Sequence, residues 1–245
     1  MPWPDGYGRR VLADVDSTNA EAARIAGGLA GPEWIWGLRQ NAGRGRRGRA
    51  WVMPEGNFAA TLVLRPVEEP GVVALRSFVA SLALADAVWD VAEDAALSLK
   101  WPNDVLLNGG KLAGILLESM GGPGGHLAIG IGVNLAAAPE AALVEEGALR
   151  PVSLFQETGK HIAPEAFLEL LARSYATWEA RFVTYGFGPI REAWLTRAAR
   201  LGESLTARTA RETHVGTFET VDAEGNLVLK TAKGRMSIAA ADIFF

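Results

Sequence analysis

Residues 40–51 restrict the fold and chemistry of this chain more than any other segment. Four arginines are interleaved with three glycines here, and the flanking segments, Trp34 to Gln40 and Phe58 to Arg65, are typical of β-strands. Glycines let the backbone adopt positive φ angles and come close to a ligand. Arginine guanidinium groups are planar forks that bind carboxylate and phosphate oxygens. The pattern therefore predicts a flexible loop between two strands that folds over an anionic small molecule.

An arginine-rich run is also typical of a nucleic-acid contact or a solvated patch. The net charge of -4 and the isoelectric point near 5.5 make the loop a local basic feature on an acidic background. The chain has no cysteine, which excludes disulfides, thiolate metal sites and an enzyme-bound thioester. A non-enzymatic nucleic-acid-binding module that uses the basic loop stays open as an alternative at this point.

A second candidate site is a β-hairpin further along the chain. Lys100-Trp101-Pro102-Asn103-Asp104 is followed by the turn Asn108-Gly109-Gly110 and by a returning strand that begins at Lys111. A lysine in this place has its stem held by the sheet and its charge directed at one point. The alternative is a lysine that protects a sheet edge from pairing with another chain.

The order of the predicted elements indicates an α+β fold with a mostly antiparallel sheet and flanking helices. Thr18 and Glu21 have capping-box spacing, so a helix should begin there and end at Gly27-Gly28. Further predicted elements are a helix from about Val72 to Ala95, a meander of strands (Leu97 to Leu107, Lys111 to Met120, His126 to Leu135), and helices from about Pro164 to Phe182 and Pro189 to Ala199. Short strands with tight turns follow Gly202.

Five motifs, in this order, resemble the biotin protein ligase family, which activates biotin with ATP and transfers it to a lysine of a carrier protein. The resemblance implies a class II synthetase-like catalytic domain over residues 1–200 and a small SH3-like β-barrel over residues 201–245. The motifs are Asp16-Ser17-Thr18-Asn19, Gly43 to Arg49 with Trp51, Lys100 to Asp104, Lys111-Leu112-Ala113-Gly114, and Gly130 to Asn134.

The resemblance also implies what the cations do. Joining a carboxylate to the α-phosphorus of ATP brings two anions together, so cations must neutralise both. Lys111 would lie between the biotin carboxylate and the α-phosphate, Arg46 would hold the acyl phosphate, and Arg49 would assist with phosphate binding. ATP and biotin are then substrates, and Mg²⁺ is expected with ATP.

The same family positions predict the binding groups. For some of them an ordinary structural role is an open alternative: helix capping by Ser17 or Thr18, packing by Trp51, and loop orientation in place of Mg²⁺ binding by Asn103 and Asp104. The residues expected to bind biotin are Ser17, Thr18, Asn19, Gln40, Gly43, Arg44, Gly45, Arg46, Lys111 and Gly114. Those expected to bind the nucleotide are Arg44, Arg49, Trp51, Asn103 and Asn134.

The expected partner is the biotin carboxyl carrier domain of a carboxylase, with no nucleic acid and no membrane, in the cytoplasm. Whether the protein forms a homodimer is left open. A lipoate or octanoate ligase shares the fold, but an Arg-Arg-x-x-Gly-Gly-Gly segment with a nearby histidine is expected there. Bifunctional ligase-repressors carry a winged helix before the ligase domain, and fifteen residues before Asp16 are too few for one, so the monofunctional type is expected.

Overall fold

A seven-stranded mixed sheet forms the centre of the protein, in a computed structural model that describes residues 2–122, 124–140 and 149–245. Its strands are β1 (Gly8–Val15), β2 (Glu33–Gln40), β3 (Phe58–Leu64), β4 (Leu97–Lys100), β5 (Asp104–Leu107), β6 (Gly110–Met120) and β7 (His126–Val133). The helices are α1 (Thr18–Ile25), α2 (Pro70–Ala74), α3 (Arg76–Trp89), α4 (Leu154–Thr158), α5 (Pro164–Tyr185) and α6 (Phe187–Leu195).

The strand order in this sheet is β1-β2-β3-β7-β6-β5-β4. All neighbours are antiparallel except β1 and β2, which run parallel. The predicted α+β class with a mostly antiparallel sheet is therefore confirmed. Strand β1 was not predicted, because its alternation of polar and apolar residues is weak. Seven of its eight residues are at least partly exposed at the sheet edge, and only Val15 is buried.

Alternate residues of the central strands point to opposite faces of the sheet, as the period of a strand requires. Trp34 and Leu62 belong to the large core beneath α3 and α5, whereas Ile35, Val63 and Ala128 belong to a smaller core beneath α1. Every residue of β3 is buried, so this strand is covered on both faces and reads as a nearly continuous apolar run. β3 lies between β2 and β7 and anchors these neighbours, whose ends carry part of the candidate site.

Helices α2 and α3 together are as apolar as a membrane-spanning segment. Pro70–Trp89 has a mean hydropathy of 1.7 and the length of a membrane span, but 67% of that window is buried inside the fold. Phe78 packs edge-on against Phe187 and Trp194 of α6, at centroid distances of 5.1 and 5.2 Å. These contacts are those of a helix in the core of the protein.

Several predicted elements were wrong in their bounds. The helix predicted over Val72 to Ala95 is two helices that break at Leu75 and end at Trp89, where Asp90 and the acidic residues after it oppose the helix dipole. The strand predicted over Leu97 to Leu107 is two strands, because Pro102 has no amide hydrogen for a sheet ladder and lies in the turn between them. The cap of α1 is Ser17, not Thr18.

A second, five-stranded antiparallel sheet follows, made of β8 (Ser204–Arg208), β9 (Thr213–Val221), β10 (Leu227–Thr231), β11 (Gly234–Ile238) and β12 (Asp242–Phe244). Its order is β11-β10-β9-β8-β12, which leaves β11 and β12 at the two edges, so closure into an SH3-like barrel stays a prediction. Buried Trp101 donates through Nε1 to the Gly225 carbonyl at 3.0 Å and so ties this sheet to the β4–β5 turn.

Candidate active site

One cavity of about 490 Å³ collects the predicted site residues at the junction between the two sheets. Its walls come from the start of α1, the end of β2, the arginine loop, the β4–β5 turn, and strands β6 and β7. The predicted residues that line it are Ser17, Thr18, Asn19, Gln40, Arg44, Gly45, Arg46, Arg49, Trp51, Asn103, Lys111, Gly114 and Asn134.

Gly43 is the one predicted site residue outside this lining. It is buried, and a Cβ atom there would lie 2.3 Å from Gln40 Nε2 and 2.8 Å from the Trp51 carbonyl oxygen. Its carbonyl accepts from the Trp51 amide at 2.9 Å. Gly43 therefore shapes the base of the arginine loop, and only a glycine fits between Gln40 and Trp51.

Lys111 lies at the start of β6 with its ammonium in the cavity. Its Nζ is 2.8 Å from Asp104 Oδ1 and 5.9 Å from the centroid of the Trp51 ring. Lys100 Nζ lies 3.9 Å from the other carboxylate oxygen of Asp104, and burial lowers the pKa of Lys100 despite this carboxylate. Two lysines thus share one carboxylate, which leaves the local charge positive and suited to an anion.

The arginine loop folds back on itself and onto the C-terminal sheet. The Gly45 amide donates to the Arg49 carbonyl at 2.7 Å, and an isolated bridge joins Arg44 to Ala50. Asp242 Oδ2 accepts from Arg47 Nη1 at 2.8 Å and from Arg49 Nη2 at 2.9 Å. The predicted loop is therefore positioned by a carboxylate nearly two hundred residues away in the sequence.

Arg46 turns inward beside these two arginines. Its guanidinium lies 3.4 to 3.5 Å from the Ala241 carbonyl oxygen. Burial lowers the pKa of Arg46, while the carboxylates of Asp242 and Asp104 act in the opposite direction. A partly desolvated guanidinium whose hydrogen bonds to the described residues are two long contacts with one neutral carbonyl oxygen is well placed to bind an anion in the cavity.

Trp51 lies across two glycines that face each other on adjacent strands. Gly114 of β6 is paired with Gly132 of β7, and a Cβ at these positions would lie 3.2 Å and 2.4 Å from the Trp51 ring. The missing side chains create a flat surface on which the indole rests. This explains why glycine ends both Lys111-Leu112-Ala113-Gly114 and Gly130-Ile131-Gly132.

Hydroxyl and amide groups line the opposite end of the cavity. Gln40 Oε1 accepts from the Thr18 amide at 3.0 Å, and Ser17 Oγ accepts from the Ala20 amide at 3.5 Å as the cap of α1. Both roles proposed for Ser17 are therefore compatible, since a hydroxyl that accepts in a cap can still donate to a ligand. Thr18 and Asn19 bond to Thr61 beneath them.

Asn103 and Asn134 use their side chains largely to hold the walls. Asn103 Nδ2 donates to the Ile115 carbonyl at 2.6 Å, and Asn134 Nδ2 donates to the Val152 carbonyl at 3.0 Å. Within the described ranges no group of three or more His, Cys, Asp or Glu residues has metal-binding geometry. Asp104 offers a carboxylate, which fits a Mg²⁺ ion bound mostly through nucleotide phosphates and water.

Several residues of the cavity and its support were not predicted. Asp242, Arg208 and Phe244 come from the C-terminal sheet and carry no motif, so only the folded chain could place them. Lys100 was quoted in a motif without a role. Thr61 and Glu118 support Asn19 from below, and neither belongs to a predicted motif.

Comparison with known proteins identifies the family to which this cavity belongs. The model described as "Biotin/lipoate A/B protein ligase family" matches residues 14–134, and "Biotin protein ligase C terminal domain" matches residues 201–245. A biotin–[acetyl-CoA-carboxylase] ligase from Paracoccus denitrificans is 58% identical over 96% of this chain and 99% of the relative. The chain belongs to the biotin protein ligase family.

More distant biotin protein ligases agree with this assignment. A bifunctional ligase/repressor from Bacillus subtilis is 32% identical over 95% of this chain and 73% of the relative. The biotin protein ligase of Aquifex aeolicus, solved with biotin and ATP, superimposes with a TM-score of 0.84 at 24% identity, covering 96% of this chain and 97% of that one. At that identity the structural match shows the shared fold.

Proposed function

We propose that this protein is an ATP-dependent biotin protein ligase that forms biotinyl-5'-AMP and then transfers biotin to a lysine of a carrier domain. The observation that carries the proposal is the convergence of Lys111, Arg46 and the hydroxyl and amide groups of residues 17–19 in one cavity. The strong similarity to a biotin–[acetyl-CoA-carboxylase] ligase supports the same substrates.

In the first step an oxygen of the biotin carboxylate attacks the α-phosphorus of ATP, and the bond from that phosphorus to the oxygen bridging to the β-phosphate breaks. Pyrophosphate leaves, so two anions must approach each other and charge must build up on phosphate oxygens. Lys111 is assigned to the point where carboxylate and α-phosphate meet. Its hold on Asp104 keeps the ammonium in place before substrates bind.

Arg46 is assigned to the phosphate of the acyl-adenylate, supported by its inward position and its partly desolvated guanidinium. Arg44 and Arg49 are assigned to phosphate binding at the same loop, with Gly43 and Gly45 giving the backbone its close approach. Arg49 would exchange part of its contact with Asp242 for the ligand's charge.

The end of the cavity with hydroxyl and amide groups is assigned to biotin, and the end at Trp51 is assigned to the nucleotide. Ser17, Thr18, Asn19 and Gln40 would bind the ureido ring of biotin through hydrogen bonds. Trp51, resting on Gly114 and Gly132, would border the nucleotide, with Asn103 and Asn134 holding the walls around it.

A Mg²⁺ ion bound with ATP would supply positive charge that neutralises the phosphate oxygens. Asp104 lines the cavity and would hold this ion, and it is already paired with the ammonium groups of Lys111 and Lys100. Its assignment to Mg²⁺ or to lysine positioning can be separated by measuring the Mg²⁺ dependence of Asp104→Asn.

In the second step the uncharged amine of a carrier-domain lysine attacks the acyl carbon of biotinyl-adenylate. An amide bond forms, the bond between acyl carbon and phosphate oxygen breaks, and AMP leaves while the amine loses a proton. The chain supplies no covalent nucleophile, and its lack of cysteine agrees with this sequence of steps.

We further propose a division into a ligase domain at residues 1–200 and a C-terminal domain at residues 201–245. The C-terminal family match begins at residue 201, and the second sheet begins at Ser204. We also propose that the protein is cytoplasmic and has no nucleic-acid or membrane partner. It would form a homodimer through an exposed edge of the seven-stranded sheet. The acidic net charge and the folding of the basic loop against Asp242 favour a small anion over nucleic acid.

The test is biotin-dependent release of pyrophosphate from ATP, followed by transfer of labelled biotin to a purified biotin carboxyl carrier domain. Lipoate and octanoate in the same assay separate the related ligases. Release with biotin alone, and labelling of the carrier lysine, is the expected result. Pyrophosphate release that depends on lipoate or octanoate and not on biotin would assign the protein to the lipoate or octanoate ligases.

A further inference from the structure

A chain of polar side chains runs beneath the end of the cavity assigned to the biotin ring. Glu118 Oε2 accepts from Asn19 Nδ2 at 2.6 Å, Thr61 Oγ1 lies 2.6 Å from Asn19 Oδ1, and the same Thr61 oxygen lies 2.8 Å from Thr18 Oγ1. Thr61 is fully buried, and Thr18 and Asn19 are 4% and 6% exposed. Buried polar groups at these distances must each share a hydrogen.

The surroundings of Asn19 leave space for its side chain and fix the orientation of its amide. A Cβ at Gly130 would lie 2.3 Å from Asn19 Oδ1, so the strand beneath carries no side chain at that position. On the amino side of the amide, the Leu116 carbonyl oxygen, 3.5 Å from Nδ2, is a second acceptor beside Glu118. Both neighbours on that side only accept hydrogen bonds, which fixes the orientation of the Asn19 amide.

The hydrogens can be counted from Glu118 inward. An ionised carboxylate only accepts, so Asn19 gives its amino group to Glu118 and keeps its carbonyl oxygen for Thr61. Thr61 has one hydroxyl hydrogen and donates it to Asn19. The 2.8 Å contact between Thr61 and Thr18 then needs the hydrogen of Thr18.

Thr18 therefore has no hydrogen left for Gln40 Oε1, which lies 3.3 Å away and already accepts from the Thr18 amide at 3.0 Å. The 2.8 Å contact requires a hydrogen more strongly than the 3.3 Å contact does. Thr18 lines the cavity, and because its hydrogen is committed to Thr61, its hydroxyl oxygen can act towards a ligand only as an acceptor. Ser17 accepts in the helix cap beside it and keeps its own hydrogen to donate.

We infer that Glu118 is a positioning residue that sets the hydrogen-bond polarity of the ring subsite, acting through Asn19 and Thr61 so that Thr18 presents an acceptor. An acceptor beside a donor matches a cyclic urea, which carries N–H donors next to a carbonyl acceptor. This inference rests on the proposed function and deepens it, since it names a residue outside the cavity lining that selects the ring chemistry.

Glu118 also has a second neighbour, since its Oε1 lies 4.0 Å from Arg44 Nη2. Substitutions can separate the effect of the Glu118 charge on Arg44 from the effect of its hydrogen bond with Asn19. Glu118→Gln removes the charge but keeps an oxygen that can accept from Asn19. Glu118→Met has a similar size and removes both the charge and the acceptor. Thr61→Val cuts the chain one step further on, with its shape nearly unchanged and Arg44 untouched.

The experiment measures the dissociation constants of biotin and of two analogues methylated at either ureido nitrogen, by isothermal titration calorimetry, for wild type and the three variants. Unfolding temperatures establish that each variant is folded. We expect Glu118→Met and Thr61→Val to bind biotin about tenfold more weakly, and Glu118→Gln within about threefold of wild type. The ratio of analogue affinity to biotin affinity should rise towards one in Glu118→Met and Thr61→Val but not in Glu118→Gln. The steric cost of the methyl group is the same in every variant, so a change in this ratio reports the lost hydrogen-bond polarity.

A loss in Glu118→Gln equal to that in Glu118→Met would show that Glu118 acts through its charge on Arg44 and would overturn the inference. Unchanged biotin affinity and discrimination in both Glu118→Met and Thr61→Val would overturn it as well. A variant that does not fold is replaced by the other, because each interrupts the same chain. Failure of wild type itself to bind biotin would refute the proposed function, an outcome distinct from failure of the polarity relay.

Discussion

Lys111 Nζ lies 2.8 Å from Asp104 Oδ1, across the pair of strands that forms one wall of the cavity. Asp104 Oδ1 is buried, and no described residue offers it a hydrogen-bond donor in favourable geometry, so the contact with Lys111 is one of charge. An anion that enters between Lys111 and the arginine loop meets an ammonium already held in position. The carboxylate prevents the lysine from withdrawing into solvent and leaves its charge available to substrate.

Lys111→Ala should slow formation of biotinyl-adenylate far more than it weakens biotin binding, because its charge is needed most where the two anions meet. We expect single-turnover adenylation to fall by about 10² to 10³-fold, the loss typical of one preorganised charged or donor group. Biotin affinity, measured by titration, should change by much less. Exposed Lys233→Ala is the matched control and should behave as wild type. Near-normal adenylation in Lys111→Ala would remove this residue from the catalytic machinery.

Gly132→Ala tests the surface on which Trp51 rests. The added methyl carbon would lie 2.4 Å from two atoms of the indole, so the ring must move from its place over β6 and β7. We expect ATP affinity to fall at least tenfold, measured by titration with a non-hydrolysable ATP analogue, while biotin affinity changes little. Gly188→Ala in α6 is the control, because no atom lies within 4 Å of its Cβ position, and it should raise stability by about 0.5 to 1 kcal/mol. ATP affinity as in wild type would mean that Trp51 does not border the nucleotide.

The sequence predicts those parts of the cavity in which a motif lies on a recognisable β-hairpin. Lys111 follows a glycine turn and therefore begins the returning strand. Gly114 and Gly132 meet because consecutive strands of a meander pair in register. Asp242 could not be predicted, because its contact with Arg47 and Arg49 joins segments nearly two hundred residues apart. Strand β1 could not be predicted either, since an edge strand that is largely exposed lacks the alternation by which strands are recognised.

Asp242→Asn tests whether the C-terminal sheet holds the arginine loop. Its side chain is 11% exposed, but Arg47 and Arg49 are each more than 40% exposed, so solvent reduces these ion pairs to about 1 kcal/mol. Hydrogen exchange of the Gly45 and Trp51 amides should therefore be about fivefold faster in the ligand-free variant. Biotinyl-adenylate should restore most of the protection, because its phosphate pairs with the arginines. Glu203→Gln, which breaks an exposed surface pair with Arg200, is the control. Equal exchange in Asp242→Asn and wild type would show that the backbone bonds of the loop suffice.

Arg46→Gly separates holding the adenylate from making it. The Arg46 guanidinium is partly desolvated, and among residues 2–122, 124–140 and 149–245 it hydrogen-bonds to the Ala241 carbonyl oxygen alone, at 3.4 to 3.5 Å. Its charge is therefore available to a phosphate, and its loss leaves the loop's contacts with Asp242 in place. We expect the variant to synthesise biotinyl-adenylate within about tenfold of the wild-type rate but to release it early. The escaped acyl-adenylate should then label lysines of unrelated proteins. The measurement is biotin incorporation into a protein mixture without a carrier domain, with exposed Arg211→Gly as the control. If Arg46→Gly leaves the mixture unlabelled and transfers normally to a carrier domain, the adenylate must be held by Arg44 or Arg49.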